Sequence, residues 1–260
     1  MRWRQSNPRT TCDSVATDAA PPPRVAAVVL AAGMSRRMLG PAKCLLPLGG
    51  KPIIRHIVER LIRVSELSSC LVVTGHNRSG VNVALFCDDP PLLNVQLVHN
   101  RDYEAGEMLS SVQTGLRAAR DSGDAMMIFL GDQPTFGPET VRALIRAWCN
   151  ATPRPRVILP VYRGKHGHPI LLDAAGIDEI LALPAGATLK DYTSRYVRQT
   201  IDVPVNDATI LDDIDTPQDY DRAVRWWREL GKIHDAAGAE LQTPAPLSSI
   251  KLQEHPPCPS

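Results

Sequence analysis

Three stretches of the chain carry residue types that can handle phosphate and a hard cation. The first runs Leu30-Ala31-Ala32-Gly33-Met34-Ser35-Arg36-Arg37-Met38-Leu39-Gly40-Pro41-Ala42-Lys43. It follows the apolar run Val25-Ala26-Ala27-Val28-Val29 directly. Small residues just after a buried strand let backbone N–H groups come close to an anion. Arg36, Arg37 and Lys43 add donors matched to phosphate oxygens. The spacing is not G-x-G-x-x-G, and no G-K-S/T follows, so neither the dinucleotide fingerprint nor the Walker loop fits. A surface loop with solvated arginines is the plain alternative. The strand-end position and the later lysine favour phosphate binding.

The second stretch is Phe129-Leu130-Gly131-Asp132-Gln133-Pro134. An Asp just past a buried strand projects its carboxylate above the sheet edge. A magnesium ion uses one or two such groups together with substrate phosphate oxygens. A turn-forming Asp between Gly131 and Pro134 fits the same residues, and spacing leaves the two readings open. The third stretch is Asp212-Asp213-Ile214-Asp215-Thr216-Pro217. Thr216 before Pro217 is a helix start, but capping does not require three preceding aspartates.

Two further segments could touch a substrate. Asn100–Ser111 opens a helix, with Gly106 at a tight turn and Ser110 or Ser111 able to bond a base edge or phosphate. Capping by Ser110 explains the same residues. Arg163-Gly164-Lys165-His166-Gly167-His168-Pro169 clusters basic groups between glycines. Its H-x-H pair has no third or fourth zinc ligand at plausible spacing. His76 and His99 read as strand-end or core histidines. Of Trp226 and Trp227, one reads as core and the other as partly exposed.

These segments need a scaffold that brings them to one edge. Val25–Leu30, Cys70–Thr74, Val95–His99, Ala125–Leu130, Val157–Val161 and Gln199–Val203 read as strands. Helical patterns fall between them. Pro52 opens one with Ile53, Ile54, Ile57, Val58, Leu61 and Ile62 on one face. Met108–Arg120 has Leu109, Val112 and Leu116 inward. Pro138–Cys149, Gly186–Tyr196 and Pro217–Leu230 complete the set. This alternation predicts an α/β fold, Rossmann-like, with a mostly parallel sheet covered by helices on both faces. Ligands bind such sheets beyond the carboxyl ends of the strands.

Composition removes several functions. The chain has 260 residues, with 29 Lys and Arg against 28 Asp and Glu, a net charge of +1. That balance provides no broad field for gripping nucleic acid or an anionic membrane. The longest apolar run, Val25–Ala32, is far short of the roughly 20 residues that span a bilayer. The scattered cysteines argue against a disulfide framework and suit a cytoplasmic location. Proline-rich, aperiodic ends predict disordered tails at 1–23 and 232–260, leaving 24–231 as one domain.

The stretch Leu30–Glu59 resembles the opening of the MobA-like nucleotidyltransferases, and more narrowly their molybdenum-cofactor cytidylyltransferase branch. The pattern is L-A-A-G-x-S-x-R-M followed by K-x-L-L-P-L-x-G-K-P, and Gly33, Ser35, Arg37, Met38 and Lys43 fall on it. The likeness continues in order through Asn100–Ser111, Gly131–Pro134, Gly164–Pro169 and Asp213–Pro217. It implies a nucleotide-diphospho-sugar transferase fold. It implies nucleotide binding by Leu30, Ala31, Ala32, Gly33, Met34, Ser35, Arg37, Lys43, Ser110 and Asp132. Arg37, Lys43 and Asp132 would be catalytic, and Asp132 with Asp215 would hold Mg²⁺.

The same resemblance places an acceptor at Gly106, Lys165 and His168. It implies CTP as donor, since the GTP-using relatives carry L-A-G-G where this chain has Leu30-Ala31-Ala32-Gly33. It also implies a molybdopterin-type acceptor, with a molybdenum hydroxylase apoenzyme or its insertion chaperone as a partner. The chain departs from the branch at Leu183–Lys190, where Gly186-Ala187 alone survives of G-D-x-G-A-R. A nucleotidyltransferase acting on a sugar or polyol phosphate is the alternative reading. A non-catalytic carrier of a nucleotide-modified cofactor would not need both aspartates and Lys43.

Overall fold

The computed structural model describes residues 23–35, 42–87, 90–105 and 107–237, with side chains at Glu107 and beyond Glu229 not described. Among these residues, β1 (Val25–Ala31) lies inside the main sheet. It is followed by the short hairpin β2 (Pro47–Leu48) and β3 (Lys51–Pro52), and then α1 (Ile53–Leu61). β4 (Leu67–Thr74), α2 (Arg78–Asn82), β5 (Val95–His99), α3 (Glu107–Ala119), β6 (Ala125–Leu130) and α4 (Pro138–Asn150) come next. The last part holds β7 (Val157–Tyr162), β8 (Lys165–His166), β9 (Ile170–Asp173), α5 (Ile177–Leu181), α6 (Leu189–Arg195), β10 (Thr200–Pro204) and α7 (Pro217–Ala237).

The sheet order is β10-β7-β9-β6-β1-β4-β5, with β8 added to β7. β1 pairs in parallel with β4 and with β6, and β4 pairs in parallel with β5. In register, Leu30 faces Leu130, Ala31 faces Thr74, and Thr74 faces His99. Four strand ends therefore finish on one edge. The chain leaves β1 toward β4 on one side and returns to β6 on the other, so strand order reverses beside β1. That reversal opens a crevice at the carboxyl ends.

β1 is apolar throughout because both faces are covered. Val25, Ala27 and Val29 pack on the face that carries Ile53, Ile57, Leu144, Trp148 and Trp226. Ala26 and Val28 pack on the face that carries Leu109, Val112, Leu116 and Tyr192. In α1, Ile53, Ile54, Ile57, Val58 and Leu61 are buried, each stabilising the fold by roughly 1.5–3 kcal/mol. Arg55 is also buried, at 2% exposure. It donates to Glu59 at 2.9 Å and to the Ala84 carbonyl at 3.0 Å, so its charge is paired.

Several expectations are corrected. Ile62 follows α1 as its C-cap and is 44% exposed rather than part of the buried face. β9 is antiparallel to both β6 and β7 and lies inside the sheet, a strand too short to register as periodic. The helix read from Gly186 begins at Leu189. Thr188 caps it, exchanging bonds with Asp191, and Gly186 sits at φ +84° in the preceding turn. α2, α5 and β8 were not read from the sequence, since two to five residues carry no clear period. α7 runs past residue 231 to Ala237. Trp226 is in the core, while Trp227 is half-buried beside His56, their rings 4.3 Å apart. Gly49, at φ +56°, lies under the Trp227 indole, where a Cβ would come within 2.0 Å of Nε1. Tyr220 also donates to the Pro47 carbonyl at 2.5 Å, so α7 holds the β2–β3 hairpin that follows Lys43.

Candidate active site

A cleft of about 530 Å³ opens at the reversal point, on the carboxyl edge of the sheet. Leu30 to Ser35 form one wall. Ala32 is buried against Gly75, which follows β4; a Cβ on Gly75 would meet the Ala32 carbonyl at 2.5 Å and its Cβ at 2.9 Å. This approach closes the floor between β1 and β4. Ser35 adopts a left-handed φ of 51°, and its hydroxyl accepts from the Lys43 backbone N–H at 2.7 Å. That bond draws together the two ends of the phosphate-loop candidate. Lys43 is thereby returned to the strand end.

Lys43 extends into a group of carboxylates. Its Nζ donates to Asp132 at 3.2 Å and to Asp215. Asp213 lines the same cleft. Burial opposes the Lys43 charge, but the bonds and charges of Asp215 and Asp132 outweigh it, and its pKa is raised. Burial raises the Asp132 pKa; Lys43 opposes this, and Asp213 and Asp215 reinforce it. Asp213 is raised too, by burial and by the Asp215 charge. Burial thus disfavours the charged form of both carboxylates, and Lys43 offsets part of that cost.

Asp132 reaches the cleft because β6 ends at Leu130 and the chain turns there. Asp213 and Asp215 reach it on an extended segment before α7. Residues two apart on extended chain face the same way, and Ile214 between them is fully buried. That alternation is the signal that could have marked Asp213 alongside Asp215. The Ile214 N–H donates to the Asp132 carbonyl at 3.2 Å, which ties the two acidic segments together. The capping reading of Thr216 also holds. Its hydroxyl and N–H donate to Asp219 at 2.7 and 2.8 Å, and the Asp219 N–H donates back at 3.2 Å. Thr216 caps the helix while Asp215 faces the cleft.

Asn100 fixes the entry of α3. It is 1% exposed, receives the Asp102 N–H at 3.0 Å and donates to the Ser110 and Ser111 hydroxyls at 2.8 and 3.1 Å. Ser111 lines the cleft, together with Tyr103, Glu104 and Met108, which sequence reasoning did not single out. Ser110 is not among the lining residues. Lys165 and His168 are not among them either; Lys165 is exposed on β8 and His168 is half-buried. Arg37 and Gly106 lie outside the described residues. His76 and His99 stand at the ends of β4 and β5, their rings 6.0 and 6.3 Å from that of Tyr103.

The position of these motifs on the fold matches a known domain. Residues 27–200 match the MobA-like NTP transferase domain. The chain belongs to that family. It is a nucleotidyltransferase. The molybdenum cofactor cytidylyltransferase of Escherichia coli is 26% identical over 203 residues, covering 78% of this chain and 97% of that protein. A nicotine blue oxidoreductase of Paenarthrobacter nicotinovorans is 27% identical over 75% of this chain and 93% of its own length. Among solved structures, a nucleotidyl transferase from Methanothermobacter superposes with a TM-score of 0.66 at 25% identity, covering 80% of this chain and 99% of that one. A Mycobacterium tuberculosis protein solved in complex with manganese has the same fold, with a TM-score of 0.61 at 22% identity over 78% of this chain and 98% of its own. No helix among the described residues of this nucleotidyltransferase is long and apolar enough to cross a membrane.

His168 leads to a prediction about stability. Burial lowers its pKa from 6.5 to about 4, so the folded protein holds a neutral imidazole. Between those values the unfolded chain binds a proton that the folded chain does not. Stability is therefore expected to fall as pH drops from 6.5 toward 4, and this contribution to level off below. The loss should be about 2–3 kcal/mol. Urea unfolding across this range measures it, and His168→Gln should flatten the profile by that amount.

Proposed function

We propose that this nucleotidyltransferase transfers CMP from CTP to molybdopterin carrying molybdenum, giving the cytosine dinucleotide cofactor and pyrophosphate. The observation that carries the catalytic part is the convergence of Lys43, Asp132 and Asp215 beside the small-residue wall Ala31-Ala32-Gly33. The acceptor reading rests on likeness to the Escherichia coli enzyme over nearly its whole length.

The residues present fit a magnesium ion. The donors are hard carboxylate oxygens from Asp132 and Asp215, with Asp213 at the same cleft. Magnesium takes one or two carboxylates and completes its shell with phosphate oxygens and water. Such an ion would neutralise charge on the triphosphate. Backbone N–H groups of Ala32 to Ser35 would hold the phosphates, and Arg37 would add a second cationic donor. Lys43 would stabilise the departing pyrophosphate. The acceptor's terminal phosphate is already an adequate nucleophile, so the protein's task is alignment with the α-phosphorus and screening of charge. Pyrophosphate release with each NTP, with and without molybdenum-loaded cofactor, tests the assignment. Release that is equal with a sugar or polyol phosphate would move the acceptor to that class. No release with any NTP would overturn the catalytic reading.

The base preference has a structural test. Ala32 presents its methyl at the β1–β4 junction, packed on Gly75. Its removal would widen that corner and free the backbone. CTP is expected to be preferred over GTP, and Ala32→Gly is expected to raise relative GTP use, by several-fold in kcat/KM. Equal use of both nucleotides by the wild type would remove the cytidylyl assignment.

A further inference from the structure

Asp132 and Asp215 meet in the cleft although they come from distant parts of the chain. A buried polar latch lies directly behind them. Asp207 is 7% exposed, and its carboxylate receives four donors. One oxygen accepts the Gly137 N–H at 2.9 Å and the Thr140 hydroxyl at 2.7 Å, at the start of α4. The other accepts the Thr209 N–H at 3.1 Å and the Thr209 hydroxyl. Gln133, the residue after Asp132, is 3% exposed and donates to the Thr209 carbonyl at 2.8 Å. The segment after Asp132 and the segment before Asp213 are thus tied to each other through one carboxylate and one amide.

We infer that Asp207, assisted by Gln133, is a positioning residue that sets the spacing of Asp132 and Asp215 for the divalent cation. The reason is geometric. Asp132, Asp213 and Asp215 bring like charges to one cleft, where they repel one another. Without an anchor, the extended segment carrying Asp213 and Asp215 would relax toward solvent. Four donors converge on Asp207, so the site requires a group that only accepts. An Asn there would turn an NH₂ against donors and open the latch. Asp207 itself is not among the residues lining the cleft.

This inference rests on the metal-dependent reading above, and the test separates the two. Mn²⁺ binding is measured by electron paramagnetic resonance with saturating CTP, on variants whose folding is checked by thermal melts. Asp207→Asn is expected to raise the Mn²⁺ Kd about tenfold, with a smaller change in turnover at saturating metal. Gln133→Leu is expected to move the Kd in the same direction, and it decides the matter if Asp207→Asn does not fold. Asp173→Asn is the control. Asp173 accepts from Trp148 at 2.9 Å and pairs with Ala125, at the opposite end of β6 from Asp132. It should lower the melting temperature and leave the Kd unchanged. Folded Asp207→Asn and Gln133→Leu variants with wild-type Kd overturn the positioning role alone. An equal rise in Asp173→Asn also overturns it, as a general effect of destabilisation. Wild-type protein that binds no Mn²⁺ overturns the metal reading and this inference with it.

Discussion

Replacing Asp132 by Asn is expected to cut turnover at least about a hundredfold, the scale of losing one electrostatic contact to the transition state. The substitution keeps shape and removes charge. Its effect on stability should run the other way. The folded pKa of Asp132 is raised by burial and by its acidic neighbours. A carboxylate whose pKa is higher folded than unfolded opposes folding at any pH where it is ionised. Asp132→Asn should therefore melt no lower than the wild type at pH 7. Lys43 would keep Asp215 as partner. Loss of activity without loss of stability marks a group retained for chemistry. Pyrophosphate release and a thermal melt on the same preparation check both halves. Near-normal turnover in the folded variant would remove Asp132 from the mechanism.

Lys43→Met is expected to cost about a hundredfold or more in kcat/KM, and here stability should fall as well. The lysine is 13% exposed and is the cation shared by Asp132 and Asp215. Removing it leaves Asp132 and Asp215 without that cation in a cleft that Asp213 and Glu104 also line. Breaking a fully buried pair costs about 3–5 kcal/mol, and with Asp215 41% exposed the figure here should be nearer 1–2 kcal/mol. Added Mg²⁺ should restore part of that stability, because a divalent cation can take over the neutralising role. It should not restore turnover, since the contact to the pyrophosphate is gone. The raised pKa keeps Lys43 charged through neutral and mildly alkaline pH. Any alkaline fall in rate should therefore be unchanged in position by Lys43→Arg. A Lys43→Met enzyme with wild-type kcat/KM would exclude Lys43 from the reaction.

Local order along the chain was enough to determine the strand-and-helix alternation and the edge at which ligands bind. Val25–Ala31 and Ala125–Leu130 are continuous apolar runs because both faces of the sheet are covered, and such runs end visibly at a small or polar residue. Those endings drew attention to the loop holding Lys43 and to Asp132, and resemblance gave Asp132 and Asp215 their expected roles. The acceptor residues did not follow in the same way. Lys165 and His168 stand on a hairpin whose path depends on the antiparallel strand β9, and four residues leave no readable period.

Tertiary structure alone decided which residues meet. Lys43, Asp132 and Asp215 come from three separate segments, and only strand pairing and the return of α7 over the β2–β3 hairpin bring them to one point. The sequence left Ser110 and Ser111 both open and resemblance favoured Ser110; in the fold Ser111 lines the cleft, and Asn100 donates to both hydroxyls. Asp207 reads locally as a cap that accepts from Thr209, and only the donors Gly137 and Thr140 from another part of the chain make it a latch. A sequence displays periodicity within one element. The contacts that fix a charge in three dimensions are made between elements, and their energies exist only once the fold has closed.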